Sequence, residues 1–289
     1  MSFLRVMVVL LCVLVGHPGP LIAQEMSSVE KQLVQTALNR GQLLYSYDRA
    51  AWHATDAMLA DAEKRGLTSA LRQMLGGWVA VGTIQDPKVL FFDKNKSNPR
   101  AVFVAQLADG GNRVLSTHFT GGAEDAAIDK ETQSRIRARD IALSSVAGSE
   151  LTRCTKGNWN SVVLPPDRSG GPILVYILSP QETSNRVPYG GHYRIEVSAD
   201  GAAGPVHAFT KSCIALATSQ AKERPVALGV TQLVDPTPTE ISVFTMFAAK
   251  LPLYVSTSPN GKLWQVETVR GQPLIRVLPD KPKNASSGP

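Results

Sequence analysis

Residues 78–92, with the sequence WVAVGTIQDPKVLFF, decide the fold class. Two apolar runs rich in β-branched and aromatic residues, 78–84 and 88–92, flank a Gln-Asp-Pro turn, which is the pattern of a β-hairpin. A second pair of runs, 101–105 and 113–116, flanks a turn made of Asp, Gly, Gly and Asn, which supply the positive φ of tight turns. Successive hairpins predict an antiparallel sheet rather than alternating strands and helices.

Helices are expected on both sides of these hairpins. Ser27 and Glu30 have the spacing of a capping box, in which each side chain satisfies a first-turn amide. The helix that follows is predicted to run to about residue 64 and to end at Gly66, with Gly41 as a candidate interruption. Another helix is predicted over residues 130–146. The predicted core stripe of the first helix consists of apolar residues spaced by four and seven: Val34, Leu38, Tyr45, Trp52 and Leu59. The alternative is that this Tyr/Trp stripe lines a ligand groove.

The second half of the chain is predicted to be rich in strands. Eight short runs are separated by turns rich in Pro and Gly: 161–164, 173–178, 192–197, 226–234, 240–247, 253–256, 263–268 and 274–278. The expected fold class is α+β, with an N-terminal helix or helices packed on mainly antiparallel β-sheet. Residues 24–150 are expected to form a helix, a β-meander and a helix, and residues 151–279 a β-rich region. These two ranges are either separate domains or one domain, and residues 280–289 are predicted to be a disordered tail.

The N-terminus has the pattern of a cleavable signal peptide over residues 1–23. Arg5 precedes an apolar run, 6–15, which is followed by Gly and Pro residues and by a small residue, Ala23, at the expected cleavage edge. The apolar run is too short for a membrane span, which needs about 20 residues. The expected location is therefore periplasmic or secreted, with no transmembrane segment after removal of the signal.

The cysteine content agrees with export, and the charge is mildly basic. The chain has 30 Lys and Arg against 24 Asp and Glu, and the excess is spread out, so a nucleic-acid partner is not expected. Outside the signal the cysteines are Cys154 and Cys213, and such an even pair in an oxidising compartment favours a disulfide. The alternative is a free catalytic thiol at one of the two positions.

Sequence motifs of known chemistry are missing from the chain. There is no H-E-x-x-H, C-x-x-C or G-x-G pattern, so neither a metal site nor a nucleotide cofactor is predicted. An S-x-x-K occurs at Ser219, but the K-T-G element that accompanies it in penicillin-recognising enzymes is missing.

The segment around His192, Tyr193 and Arg194 supplies the candidate ligand-binding residues. It follows Gly190 and Gly191, whose flexibility would expose the polar side chains behind them. On a strand, His192 and Arg194 would share one face while Tyr193 takes the other. The alternative interpretation is an ordinary strand that starts at a glycine turn.

Three segments of the second half together resemble a group of uncharacterised exported proteobacterial proteins. They are Gly190-Gly191-His192-Tyr193-Arg194, Phe209-Thr210-Lys211-Ser212-Cys213 and Asp235-Pro236-Thr237-Pro238-Thr239-Glu240, and Trp52-His53 in the first half belongs loosely to the same pattern. The resemblance implies a Gram-negative periplasmic setting and carries no catalytic residues. The favoured function is a non-catalytic binding or envelope-associated module that binds either a ligand or a partner, for which an envelope protein is the candidate. The alternative is a periplasmic hydrolase whose site is built from dispersed residues, for example His192 with a distant acid. Whether the chain is an enzyme stays open at this point.

Overall fold

The computed structural model describes residues 25–219 and 225–279 and confirms the α+β fold class. Four helices and fourteen strands lie in these two ranges, and all but one of the strand pairs are antiparallel. None of the helices in these ranges combines the length and the apolar character that a bilayer span requires. The expected signal peptide, residues 1–23, and the expected tail, residues 280–289, lie outside the described residues.

Helix α1 (Ser28–Lys64) is the longest element and starts where the sequence predicts. The Glu30 amide donates to the Ser27 hydroxyl at 3.2 Å, and the Ser27 amide donates to the Glu30 carboxylate at 2.7 Å. Both bonds satisfy amides that a helix start leaves unpaired. The helix continues without interruption through Gly41, and the left-handed Gly66, at φ +68°, follows its end.

The buried side of α1 differs from the predicted stripe. Val34 is buried, but Trp52 and Leu59 are 53% and 46% exposed. Five of the eleven buried residues of α1 are alanine, and because this side chain is small the neighbouring elements approach the helix closely. The spacing of large apolar residues alone therefore does not identify this side of the helix. The buried positions include Ala37, Leu44, Tyr47, Ala50, Ala51, Ala54, Met58 and Ala62.

Helix α2 (Thr68–Met74) leads from α1 into the first sheet. This antiparallel sheet has its strands in chain order: β1 (Leu75–Gly82), β2 (Pro87–Asp93), β3 (Ala101–Ala108) and β4 (Arg113–Phe119). Both predicted hairpins are present. In the β3–β4 turn, Asp109, Gly110 and Gly111 have φ values of 55°, 65° and 85°, as their residue types predict.

Helix α3 (Lys130–Ser145) matches the second predicted helix and packs on strands of the first and second sheets. The second sheet is antiparallel with strand order β5-β6-β8-β9, and a separate ribbon pairs β7 with β10. These strands are β5 (Asn160–Leu164), β6 (Ile173–Leu178), β7 (Arg186–Pro188), β8 (Tyr193–Val197), β9 (His207–Ala208) and β10 (Ala215–Ala217). The sequence did not predict β7, β9 or β10, because strands of two or three residues are too short to produce a periodic pattern.

The third sheet contains the clearest error of the sequence prediction. Its strands are β11 (Leu228–Gln232), β12 (Leu253–Thr257), β13 (Lys262–Val269) and β14 (Gln272–Val277), and β11 is parallel to β12. The connection between that parallel pair is helix α4 (Glu240–Ala249), where a strand was predicted over residues 240–247. The Thr239 amide donates to the Ser242 hydroxyl at 3.3 Å, which supports a helix start. Because α4 is apolar on nearly every side, its sequence has no helical period to recognise.

Helices α1 and α4 touch at Gly41. A β-carbon at this position would lie 2.5 Å from Cβ of Val243 and 2.7 Å from the carbonyl oxygen of Glu240, so the contact requires glycine. The larger core cluster contains residues from both halves of the chain, among them Tyr47 and Trp264. Residues of the predicted ranges 24–150 and 151–279 therefore share a core.

The start of α1 is also tied to the third sheet. Nζ of Lys262 donates to both carboxylate oxygens of Glu30, at 2.7 and 2.8 Å, and Nδ2 of Asn260 donates to Oε1 at 3.1 Å. The hydrogen bond from Lys262, with help from the Ser27 amide, holds the pKa of Glu30 below its usual range. This contact joins residues 232 positions apart in the chain.

Cys154 and Cys213 form the predicted disulfide, with their Cα atoms 5.1 Å apart. Gly191 lies against it: a β-carbon there would be 2.6 Å from Sγ of Cys154, and the residue has a φ of +74°. The bridge thus connects the chain before β5 to the chain before β10, and Gly191 is required for the close approach.

Candidate functional site

A cleft of about 590 Å³ lies beside the middle of α1, between the first and third sheets. Three hairpin turns reach it, those of β1–β2, β3–β4 and β13–β14, together with the C-terminal end of α4. Turns held by rigid sheets are where proteins commonly place binding residues. The volume falls within the range of small-molecule pockets, roughly 300–1,000 Å³.

An aromatic pair forms the apolar floor of the cleft. The rings of Tyr45 and Phe247 are stacked, with centroids 5.1 Å apart and planes 20° apart, and Phe244 meets Tyr45 edge-on at 6.3 Å. Both stacked rings are half-buried. Within the described residues the Tyr45 hydroxyl has no hydrogen-bond partner, and burial raises its pKa, so it stays protonated and able to donate. Further apolar lining comes from Ile84, Met246, Leu251 and Pro252.

The rim of the cleft is polar. Neutral amides come from Gln42, Gln85 and Asn112. Asp109 also lines the rim, and its carboxylate is paired with Arg113 at 2.7 Å. Lys250 contributes a cation, and no carboxylate of the described residues lies within 4.0 Å of its ammonium group.

Left-handed backbone is concentrated at this rim. In the described ranges three non-glycine residues have a positive φ: Asp109 at 55°, Lys250 at 54° and Arg270 at 51°. Asp109 and Lys250 line the cleft, and Arg270 directly precedes Gly271, which also lines it. Aspartate tolerates this conformation, whereas a long side chain there is disfavoured by roughly 1–2 kcal/mol. Such backbone strain tends to cluster at ligand sites.

His192, the first predicted site residue, lies in the core and does not line the cleft. The side chain is 1% exposed, and the Ser179 amide donates to its Nδ1 at 3.2 Å. Nε2 lies 3.0 Å from the Pro188 carbonyl oxygen, which can only accept, so Nε2 carries the proton. Burial lowers the pKa of His192 to about 4. The ring is therefore neutral at pH 7, with both nitrogens used to fix the main chain.

Tyr193 and Arg194 take opposite faces of β8, as expected for a strand. The Tyr193 hydroxyl donates to the Thr152 carbonyl at 2.9 Å, and the ring meets Trp159 edge-on with centroids 6.1 Å apart. Nη1 of Arg194 donates to Oε1 of Glu240 at 2.5 Å. The three predicted residues thus join three different sets of contacts instead of converging on one site.

Glu240 is the centre of a buried polar network. Its side chain is 6% exposed, and Oε1 accepts from Arg194 and from the Tyr176 hydroxyl, the latter at 2.8 Å. Nη1 of Arg40 lies 3.6 Å from the same oxygen, and the Arg40 guanidinium also binds Asp167. These contacts join α1, α4 and the second sheet, so they fix the scaffold behind the cleft.

The other segments of the family resemblance lie at separate places. Nε2 of Gln232 donates to the carbonyl of Thr237 at 2.7 Å, which fixes the Pro-containing segment ahead of α4. The Phe209 ring stacks on Tyr176 with centroids 6.3 Å apart. Trp52 is exposed and has the Arg49 guanidinium 4.3 Å above its ring. Thr237, Phe209 and Trp52 do not line the cleft.

A metal site does not form in the described part of the chain. Across residues 25–219 and 225–279, no three His, Cys, Asp or Glu side chains come close enough together to hold an ion. The chemistry that the cleft offers is therefore apolar burial, hydrogen bonding from amides and a hydroxyl, and the positive charge of Lys250.

Most residues of the cleft were missed by sequence reasoning, because they come from hairpin turns far apart in the chain. Tyr45 was recognised but assigned to the core stripe of α1. A signal was available at Arg270-Gly271, where arginine occupies a turn position that normally favours Asn, Asp or Gly.

We compared the chain with protein-family models, curated proteins and solved structures, and none of them matches it.

Proposed function

We propose that this chain is a non-catalytic binding protein of the cell envelope, which holds one small, partly apolar ligand in the cleft between its first and third sheets. The observation that carries this proposal is the stacked Tyr45–Phe247 pair at the floor of a cleft of about 590 Å³. Burying apolar ligand surface there contributes about 25 cal/mol per Å². The surrounding amides and the Tyr45 hydroxyl would orient the polar atoms of the ligand.

The hydrolase alternative has less support from the geometry. It requires His192 beside a carboxylate and a nucleophile, with one ring nitrogen able to accept a proton. In the structure Ser179 and Pro188 occupy both nitrogens of His192 through their main-chain atoms. Ligand binding is therefore the better supported of the two functions.

Export to the periplasm is part of the same proposal. Two observations support it: the signal-peptide pattern of residues 1–23 and the Cys154–Cys213 disulfide, a bond typical of oxidising compartments. Mass spectrometry of the protein released by osmotic shock should give a chain that begins near Gln24. Recovery of the chain in the cytoplasm with residues 1–23 attached and both thiols reduced would refute export.

Ligand binding is tested with a neutral apolar dye, N-phenyl-1-naphthylamine, whose fluorescence rises when it leaves water. We expect the wild-type protein to enhance the dye fluorescence. The variant Thr268→Trp should remove most of the enhancement, because Thr268 is an exposed residue of the cleft and a large side chain there would fill it. This change leaves the Tyr45–Phe247 pair in place.

The control variant is Trp52→Ala, which removes an exposed aromatic residue of α1 that does not line the cleft. It should bind the dye as the wild-type protein does. Equal enhancement by Thr268→Trp, or loss of enhancement only in Trp52→Ala, would show that the cleft is not the binding site. Circular dichroism of both variants checks that the fold is retained.

A further inference from the structure

We infer that the ligand of this cleft is a small organic carboxylate with an apolar body, whose anionic group is bound by Lys250 and Arg270. The inference rests on the proposed function and names the class of ligand. Three observations lead to it: the place of Lys250 beside the aromatic floor, the residue type in the β13–β14 turn, and the balance of charge around the rim.

Lys250 puts a cation next to the aromatic floor. It directly follows α4, its amide donates to the Phe247 carbonyl at 3.2 Å, and its side chain is exposed at the cleft. A ligand whose apolar part covers Phe247 would therefore have its polar end near the ammonium group. The carbonyls at a helix C-terminus also favour a cation. A lysine in the last turn of α4 would supply that cation with its backbone in the ordinary right-handed conformation. Left-handed backbone is common just after a helix, where glycine or asparagine usually occupies the position, so the presence of lysine there needs another reason.

Arg270 repeats this situation in the β13–β14 turn, where it directly precedes Gly271, a residue that lines the cleft. Val269 pairs with Gln272, so Arg270 and Gly271 form a two-residue hairpin loop, and both have a positive φ, at 51° and 78°. Such a loop favours Asn, Asp or Gly at its first position. Arginine is disfavoured in this left-handed backbone conformation, but it supplies a long cationic side chain. Its planar guanidinium matches the geometry of a carboxylate.

The charge around the rim is positive. Asp109 is the acidic residue that lines the cleft, and Arg113 neutralises it. Neither Lys250 nor Arg270 has a carboxylate within 4.0 Å among the described residues. Two uncompensated cations at the edge of an apolar floor match a ligand with one apolar part and one anionic group.

The probes for this inference are 4-phenylbutanoate and 4-phenylbutan-1-ol, which share an apolar body and differ in charge. Amide chemical shifts of Gln42, Phe247 and Leu251 in the full-length protein would report binding at the cleft. We expect the carboxylate to bind about fivefold more tightly than the alcohol, and the preference to fall in 0.5 M NaCl. Lys250→Gln and Arg270→Gln should each reduce the preference.

Lys64→Gln is the matched control. Lys64 lies 19 residues along α1 from Tyr45, which corresponds to about 28 Å, and its loss should leave the preference unchanged. Equal affinities of both probes for the wild-type cleft would overturn the carboxylate inference and leave the proposed binding function standing. Failure of both probes to shift the cleft amides would overturn the proposed function as well. A preference that survives in both Gln variants would also overturn the inference.

A second readout separates ligand binding from a structural role of the two cations. Lys250→Gly and Arg270→Asn remove the charge and also suit left-handed backbone, so we expect both to raise the midpoint of thermal unfolding while they lose the preference for the carboxylate. A lower midpoint in both variants would mean that the cations serve the fold, and it would overturn the inference.

Discussion

The substitution Glu240→Gln tests the buried network that positions the scaffold behind the cleft. Glu240 is the first residue of α4, and Oε1 accepts from Arg194 at 2.5 Å and from Tyr176 at 2.8 Å. Glutamine keeps the size of the side chain and an oxygen that can accept from Tyr176. It removes the negative charge, so the experiment isolates the electrostatic part of the network.

Removing one charge of a buried ion pair generally destabilises a protein by about 3–5 kcal/mol, because the partner stays buried without compensation. Two contacts reduce the effect here. Arg40 keeps its pair with Asp167, and Arg194 keeps Glu196 at 3.4 Å, although the Glu196 side chain is 43% exposed. We therefore expect a loss of about 3 kcal/mol in the free energy of unfolding, the lower end of that range.

Asp167→Asn is the matched control, since it removes the other carboxylate bound to Arg40. The Asp167 side chain is 50% exposed, and ion pairs at such positions contribute at most about 1 kcal/mol. Urea unfolding followed by the fluorescence of the buried Trp264 measures both losses with the disulfide intact. If Glu240→Gln loses no more stability than Asp167→Asn, the network does not hold a desolvated charge and this reasoning is wrong.

Three further predictions concern packing, the disulfide and pH. Gly41→Ala should lower the free energy of unfolding by about 2 kcal/mol, because the new methyl group would overlap Val243. Urea denaturation measures this loss, and an unchanged midpoint would contradict the close contact of α1 and α4. Replacing both Cys154 and Cys213 by Ser should destabilise the protein by about 4 kcal/mol, since the bridge closes a long loop across a sequence separation of 59; calorimetry checks this, and a loss below about 1 kcal/mol would refute it. Burial raises the pKa of Asp48 to about 6, above its ordinary value of 3.8, so folding favours the protonated carboxyl and this contribution is lost as pH rises through 6. Asp48→Asn should therefore gain about 1–2 kcal/mol relative to the wild-type protein between pH 4 and pH 7, the gain being limited because residue Asp48 is only partly buried, and a difference that does not change with pH would exclude this role.

The sequence predicted those parts of the fold that have a local cause. The capping box of Ser27 and Glu30, the turn at Asp109 and the hairpins of the first sheet depend on neighbouring residues, and all are present. Helix α4 was predicted as a strand because its alternating β-branched residues imitate a strand pattern. The helical conformation of this segment depends on its burial between α1 and the third sheet. Such tertiary contacts cannot be read from the local sequence.

The candidate site was the least predictable part, for a related reason. His192, Tyr193 and Arg194 are polar side chains beside glycines, but their partners, such as Ser179 and Glu240, come from other elements. These partners determine whether the hydrogen-bonding groups of a polar side chain are paired inside the core or are free to bind a ligand. The cleft likewise arises only when three turns meet.

The contact between Glu30 and Lys262 determines when folding can be completed. Helix α1 leaves the ribosome long before Lys262, the partner of its first turn, has been synthesised, because Glu30 and Lys262 are 232 positions apart. The helix packs on strands of the first sheet, but its contacts with α4 and the third sheet can form only after residues 240–277 are available, and a helix gains most of its stability from such packing. In nascent chains that end before residue 240, the first turn of α1 and its side that faces α4 should therefore stay accessible to proteases, and these contacts should form in a late folding step.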